Sequence, residues 1–239
     1  MEVIKDLPEV FEEFAEQRKN SFLAIKKIKD QNIPVIGSYC TYFPQEIAMA
    51  MGAASVGLCS MSDETIPVAE QTLPKNLCPL IKASYGFAVT DKCPFFYFSD
   101  VVVGETTCDG KKKAWEILSE DVPVHVMDLP QMKRAKDVKA WAEEIKELMH
   151  VVEEFTGNKV TAEKLAESIK LINNKRKALD RLYACRKNEK LPISGTDALV
   201  ISQIAFYDDP ARFAQMTNKL CDELEQRIKD GVSVVPEGT

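Results

Sequence analysis

Residues 33–58 decide the fold: Ile33-Pro-Val-Ile-Gly-Ser-Tyr-Cys-Thr-Tyr-Phe-Pro-Gln-Glu-Ile-Ala-Met-Ala-Met-Gly-Ala-Ala-Ser-Val-Gly-Leu58. Ile33–Gly37 is a short apolar run of the kind that forms a buried strand. Pro44 opens a helix that runs to Met51 and ends at Gly52, because proline suits a first helical turn and glycine a helix exit. Ala54–Leu58 is a second apolar run, so the order is strand, helix, strand. Downstream, Thr65–Thr90 reads as one or two helices interrupted at Leu73-Pro74. Phe95–Phe98 and Val101–Val103 read as a strand broken by a polar pair, followed by a helix from Asp109 to Ser119 and a strand over Val122–Val126. This alternation predicts an α/β fold built on a flavodoxin/Rossmann-like, doubly wound parallel sheet.

The flanks differ in character. Residues 7–30 carry Val10, Phe11, Phe14, Phe22, Leu23, Ile25 and Ile28 among Glu and Lys, the pattern of an amphipathic lead-in helix. Beyond Pro130 the segments 136–157, 161–189, 194–206 and 209–231 are charge-rich and amphipathic, with no strand signal. They predict a helical annex. The expected division is therefore an N-terminal helix (1–31), an α/β domain (32–130), the annex (131–231) and a tail (232–239) with the look of a linker.

Composition narrows the function. The 239 residues carry a formal net charge of −6, and the one basic run, Lys111-Lys112-Lys113, reads as a solvated helix face, so nucleic acid is not expected as a partner. The acidic start Met1–Asp6 lacks a signal-peptide core, and no apolar stretch approaches the ~18 residues that mark a membrane span. A cytoplasmic protein is expected. In that compartment seven cysteines read as metal ligands, reactive thiols or core residues rather than disulfides.

Five of the seven, Cys40, Cys59, Cys78, Cys93 and Cys108, fall between residues 31 and 110, where only 11 of 80 residues are charged. A thiol-rich, weakly charged stretch suits soft metal centres, above all iron–sulfur clusters. In an α/β sheet ligands collect at the carboxyl ends of strands. Cys40 follows the first strand and Cys108 follows Val101–Val103, each just before a helix, where amide donors favour thiolate. Cys78 precedes Pro79 at a helix start, and Cys93 repeats the Cys-Pro step in a loop. These four could converge on one cluster, or could be ordinary buried thiols. Cys59, at a strand end, could be a ligand or core and is read as core, and Cys185 and Cys221 as packing residues of the annex. His125 and His150 have no catalytic partner in sequence, and no Gly-rich phosphate loop, serine nucleophile elbow or paired-histidine motif occurs. No catalytic residue can be named.

The runs Asn76–Phe87, Asp91–Asp100 and Gly104–Lys113 together resemble the 2-hydroxyacyl-CoA dehydratase family, which includes benzoyl-CoA reductase subunits and double-cubane cluster proteins. The loop Tyr39-Cys-Thr-Tyr-Phe-Pro-Gln-Glu46 looks most like the double-cubane branch. The resemblance implies two flavodoxin-like domains per subunit, a homo- or heterodimer, and an oxygen-sensitive iron–sulfur cluster of four-iron or double-cubane type. Cys78 and Cys108 stand where the family's ligands stand, with Cys40 and Cys93 as further candidates for a double cubane. It also implies an ATP-hydrolysing iron–sulfur activator as electron donor. The expected function is then an iron–sulfur enzyme component that reduces a small molecule at a double-cubane-type cluster. The alternatives are a subunit that dehydrates a 2-hydroxyacyl-CoA through a ketyl radical and a noncatalytic half-subunit. Family proteins continue past the position of Thr239 into a second α/β domain, so this chain reads as an N-terminal half, expected to be inactive alone.

Overall fold

The computed structural model describes residues 11–60 and 62–235. Four strands, β1 (Val35–Ser38), β2 (Ala54–Gly57), β3 (Val101–Glu105) and β4 (Val124–Met127), form one parallel sheet in the order β2-β1-β3-β4. The expected α/β architecture is present. The central strands β1 and β3 are buried at every residue, which is why they read as unbroken apolar runs, while the outer β2 and β4 are partly covered.

The connections supply two helical layers. α2 (Gln45–Ala50) and α7 (Ala135–Thr156) pack together on one of them, where Ile36, Ile47, Met51, Val101, Val103, Met127, Leu148 and Val152 form a core joined by Trp141 and Ile145. The spacing Trp141, Ile145, Leu148, Val152 is one face of a helix. The side chains of Val101 and Val103 point to this layer, so Gly104 lies on the other. There α6 (Asp109–Leu118) lays Trp115 across β3: a Cβ on Gly104 would come within 2.7 Å of the indole nitrogen. α4 (Pro79–Val89) packs beside α6. The short α3 (Ile66–Ala69) lies against α4, with Thr65 Oγ1 donating to the Ala83 carbonyl at 2.9 Å.

Two expectations are corrected. Phe95–Phe98 is not strand: α5 (Pro94–Tyr97) is a single helical turn, started by Pro94 and capped by the Cys93 sulfur, which accepts from the Phe96 amide at 3.4 Å. Proline at the first position and the cap outweigh the β preference of four aromatics, of which only Phe96 is buried. The second concerns the lysine run. Lys112 and Lys113 face solvent as expected, but the Lys111 side chain is only 15% exposed.

The chain divides into two compact units, one of residues 22–168 and one of residues 1–21 with 169–239. The sheet unit thus extends through α7 into the first turns of α8 (Ala162–Cys185), past the boundary at 130/131 expected from composition. Packing explains the shift, because the apolar face of α7 is the outer layer of the sheet. The lead-in helix α1 (Phe11–Asp30) also serves both units; residues 7–10 of that expectation lie outside the described ones.

The second unit is helical. The rest of α8, α9 (Gly195–Ile204), α10 (Pro210–Lys229) and the first turns of α1 surround a core of Phe14, Leu182, Ile201, Phe213, Leu220 and Leu224. Phe14 and Phe213 meet edge to face at 6.2 Å. Cys185 and Cys221 are buried in this core, as expected. Among the described residues no helix is long and apolar enough to cross a membrane.

Candidate functional site

The strand order makes one place in the sheet unit distinctive. From β1 the chain passes to β2 on one side, while β3 lies on the other, so a crevice opens at the carboxyl ends of β1 and β3. The ladder runs one residue past β1: the Tyr39 amide donates to Val103 O at 3.0 Å and the Leu58 amide to Ser38 O at 2.9 Å. Tyr39 is buried with its ring stacked on Trp115 at 4.4 Å. Burial, and then the nearby Cys93 and Cys59 thiols, push its hydroxyl far above the ordinary tyrosine range, so it is a neutral phenol throughout the physiological range.

Cys40 comes next, with a left-handed φ of 69°. A non-glycine residue rarely adopts that conformation, and here it turns the chain out of the sheet at once. Cys40 and Cys59 each stand two residues beyond the last β1–β2 pair, Ser38↔Gly57, and the Cys40 backbone N–H meets the Cys59 sulfur. Cys59 is exposed, not a core residue as its strand-end position suggested. Desolvation around its sulfur, with the Cys40 and Glu105 charges, holds the thiol above its ordinary value, and the Cys40 backbone N–H and the Lys111 charge only partly offset this.

Lys111 enters from the first turn of α6. Its Nζ donates to Glu105 Oε1 at 2.5 Å, and Thr107 Oγ1 donates to the same oxygen at 3.1 Å. The Glu105 side chain, at the end of β3, is 3% exposed. Desolvation acts to lower the Lys111 ammonium, but the Glu105 hydrogen bond and charge, with Cys40 and Cys59, carry it above the ordinary lysine value. The crevice therefore has a cation, held by Glu105, within electrostatic reach of two thiols.

Cys78 and Cys108 hold equivalent positions. Each is the N-cap residue of a helix, α4 and α6 respectively; each is exposed, and neither sulfur is used as a cap. The two helix starts abut, since a Cβ on Gly110 would lie 2.8 Å from Leu77 Cδ1 and 3.1 Å from Ile81 Cδ1. The loop delivering Cys78 is clamped by the buried Lys82, whose Nζ donates to Glu70 Oε1 at 2.6 Å and to the Lys75 carbonyl at 2.7 Å.

Cys93 is placed differently. α5, which it caps, delivers the chain to the start of β3, and Phe96 lines a small cavity there with Val101, Val122 and Pro123. Its half-buried thiol is raised by desolvation and lowered by the Phe96 and Phe95 amides. It remains in electrostatic reach of the Tyr39 hydroxyl. Thus Cys40, Cys78 and Cys108 lie at strand ends or helix starts, while Cys93 caps the short turn α5 and stays within electrostatic reach of Tyr39.

Two residues of the crevice escaped the sequence reading, Cys59 and Lys111. The signal for Cys59 was the same strand-end position that singled out Cys40. That for Lys111 was a glutamate closing the preceding strand. Among the described residues no three Cys, His, Asp or Glu side chains gather tightly enough to hold a single metal ion.

Residues 40–239 match the family model of the 2-hydroxyglutaryl-CoA dehydratase D-component. The chain is 44% identical over 238 residues to the "Putative dehydratase subunit YjiM" of Escherichia coli (strain K12), covering 99% of this chain and 62% of that protein. It is 21% identical to the (R)-phenyllactyl-CoA dehydratase beta subunit of Clostridium sporogenes, across 95% of this chain and 61% of the relative. It is 24% identical to a benzoyl-CoA reductase subunit of Thauera aromatica, across 73% and 46% respectively. The chain thus spans less than two thirds of the length of each of these relatives.

Proposed function

Because this chain belongs to the 2-hydroxyglutaryl-CoA dehydratase D-component family, we propose that it is an iron–sulfur component whose crevice at the ends of β1 and β3 holds a low-potential, double-cubane-type cluster, with Cys78, Cys108, Cys40 and Cys93 as ligands. The observation that carries this reading is the placing of exposed or half-exposed thiols at strand ends and helix starts of the sheet unit. A polynuclear centre of this kind takes its thiolates one per iron. A bound cluster of this kind supplies single electrons at low potential.

The chain's own residues prepare the place. Cys78 and Cys108 present sulfur at helix starts, where partial positive charge favours thiolate. Lys111, anchored by Glu105, offsets the negative charge of thiolate-bound iron and sulfide. The buried Tyr39–Trp115 stack packs beside the end of β1, and its neutral phenol adds no charge. In this reading the electrons come from an ATP-hydrolysing iron–sulfur activator, the component works in the cytoplasm as part of a homo- or heterodimer, and it reduces a small molecule.

The Cys93 sulfur favours a second reading. Already engaged as a cap, it is not needed by a subunit that holds a single four-iron cluster and dehydrates a 2-hydroxyacyl-CoA. The double-cubane reading takes both Cys40 and Cys93 as ligands. Iron and sulfide analysis with reduced-state EPR on anaerobically purified Cys40→Ser and Cys93→Ser proteins decides between them. Loss of iron and an altered spectrum in both variants supports the double cubane. Normal values in both assign the chain to the single-cluster dehydratase type, and absence of iron from the unsubstituted protein overturns both readings.

A further inference from the structure

We propose that Cys40 and Cys59 form a dithiol that closes into a disulfide by exchange with a small-molecule disulfide, reversibly withdrawing Cys40 from the crevice. The geometry comes from the sheet. β1 and β2 are parallel and paired Ser38↔Gly57, the Leu58 amide still bonds to Ser38 O at 2.9 Å, and two residues beyond that pair the Cys40 backbone N–H meets the Cys59 sulfur. The two chains leave the ladder from paired strands about 4.8 Å apart, close to the window of roughly 4.4–6.8 Å between Cα atoms that a disulfide spans. The Cys40 backbone N–H points toward the Cys59 sulfur, and Lys111 faces both thiols. These two cysteines are unlike Cys93, whose sulfur is occupied as a helix cap.

The order of events follows exposure. Cys59 is the more open of the two and attacks one sulfur of oxidised glutathione, releasing one glutathione thiolate, which takes up a proton. Cys40 then attacks the Cys59 sulfur of the mixed disulfide and releases the second glutathione. Two thiols of the chain are oxidised, the glutathione disulfide is reduced to two thiols, and the two protons lost by the chain are taken up by the glutathione. Lys111 sits where it can stabilise the thiolate formed at each attack. Excess reduced glutathione runs the exchange backwards.

The consequence for metal loading rests on the reading of Cys40 as a cluster ligand; the dithiol itself does not. The test incubates the cluster-free chain, anaerobically, with oxidised glutathione, traps remaining thiols by alkylation, and maps peptides by mass spectrometry. The expected product is one peptide pair linked through Cys40 and Cys59, two hydrogens lighter than the reduced pair and restored by dithiothreitol. Recovery of Cys40 and Cys59 individually alkylated, or linked to other cysteines, overturns the inference. This mapping uses the unsubstituted chain and depends on no variant folding. In a second arm iron and sulfide are offered after oxidation. Uptake should fall severalfold in the unsubstituted chain and should not fall in Cys59→Ser; an equal fall in both overturns the withdrawal of Cys40 by this disulfide. If the linked peptide forms but the reduced chain takes up no iron, the dithiol stands and the cluster reading fails.

Discussion

Each of the two units contains a pair of cysteines, and the pairs could hardly be more different in setting. In the helical unit Cys185 and Cys221 touch through their sulfurs inside a core of Phe213, Leu182, Leu220 and Leu224. Desolvation, then the neighbouring Cys185, pushes the Cys221 thiol up to about 12, so it is a small hydrophobe with no chemistry near neutral pH. In the sheet unit Cys40 and Cys59 stand at a strand edge, reached by solvent and faced by a lysine that a buried glutamate holds in place. Backbone placement makes the difference. A thiol on the apolar face of a helix is packed away, whereas one that follows a parallel strand emerges where loops must leave the sheet.

The comparison breaks most sharply on iron. Cys78→Ser and Cys108→Ser should each remove most of the brown absorbance and iron from anaerobically purified protein, whereas Cys185→Ala and Cys221→Ala should leave both unchanged. Iron loss in either of the latter variants moves the metal site out of the sheet unit. The next largest effect is on stability. Leu148→Ala, in the α7 face that covers the sheet, should cost about 2–5 kcal/mol in urea unfolding, because Leu148 is fully buried. If α7 belonged to a separate annex, the sheet's own unfolding would not respond.

Replacing Cys221 by alanine removes only a sulfur from a close-packed site and should cost about 1 kcal/mol, measured as a small fall in the urea midpoint. A cost several times larger would give that buried pair a role beyond packing. The smallest effect concerns pH. Burial holds the folded-state pKa of His125 below its ordinary value, against the opposing charges of Glu144 and Glu147. Above about 6.5 the ring is neutral in folded and unfolded chains and contributes nothing to the pH dependence. As the pH falls below that value the unfolded chain takes a proton first, so stability declines until the folded ring is protonated as well. His125→Gln should flatten this decline in urea midpoints measured across the window; an unchanged slope would assign it to other groups.

Much of the site was legible in the order of residues. Cys40 and Cys108 were placed by the rule that strand ends present ligands, and Cys78 by the proline that follows it, because caps and strand ends are local signals. Cys59 satisfied the same rule and was missed because an apolar strand end reads equally well as core. Lys111 was hidden in a run of three lysines, of which only the first turns inward.

By itself the sequence determined the alternation of strand and helix, the amphipathic faces of the long helices, and the blocks around Cys78, Cys93 and Cys108 that mark the family. These are written in periodicity and in short runs of neighbouring residues. Only the tertiary structure decided the order β2-β1-β3-β4, which sets Cys40 beside a cysteine nineteen positions away, and the assignment of α7 to the sheet unit. It also turned four consecutive aromatics into a helical turn rather than a strand. The physical reason is the same in each case: lateral pairing, layer packing and capping depend on which distant surfaces are buried together, and no local pattern encodes that partner.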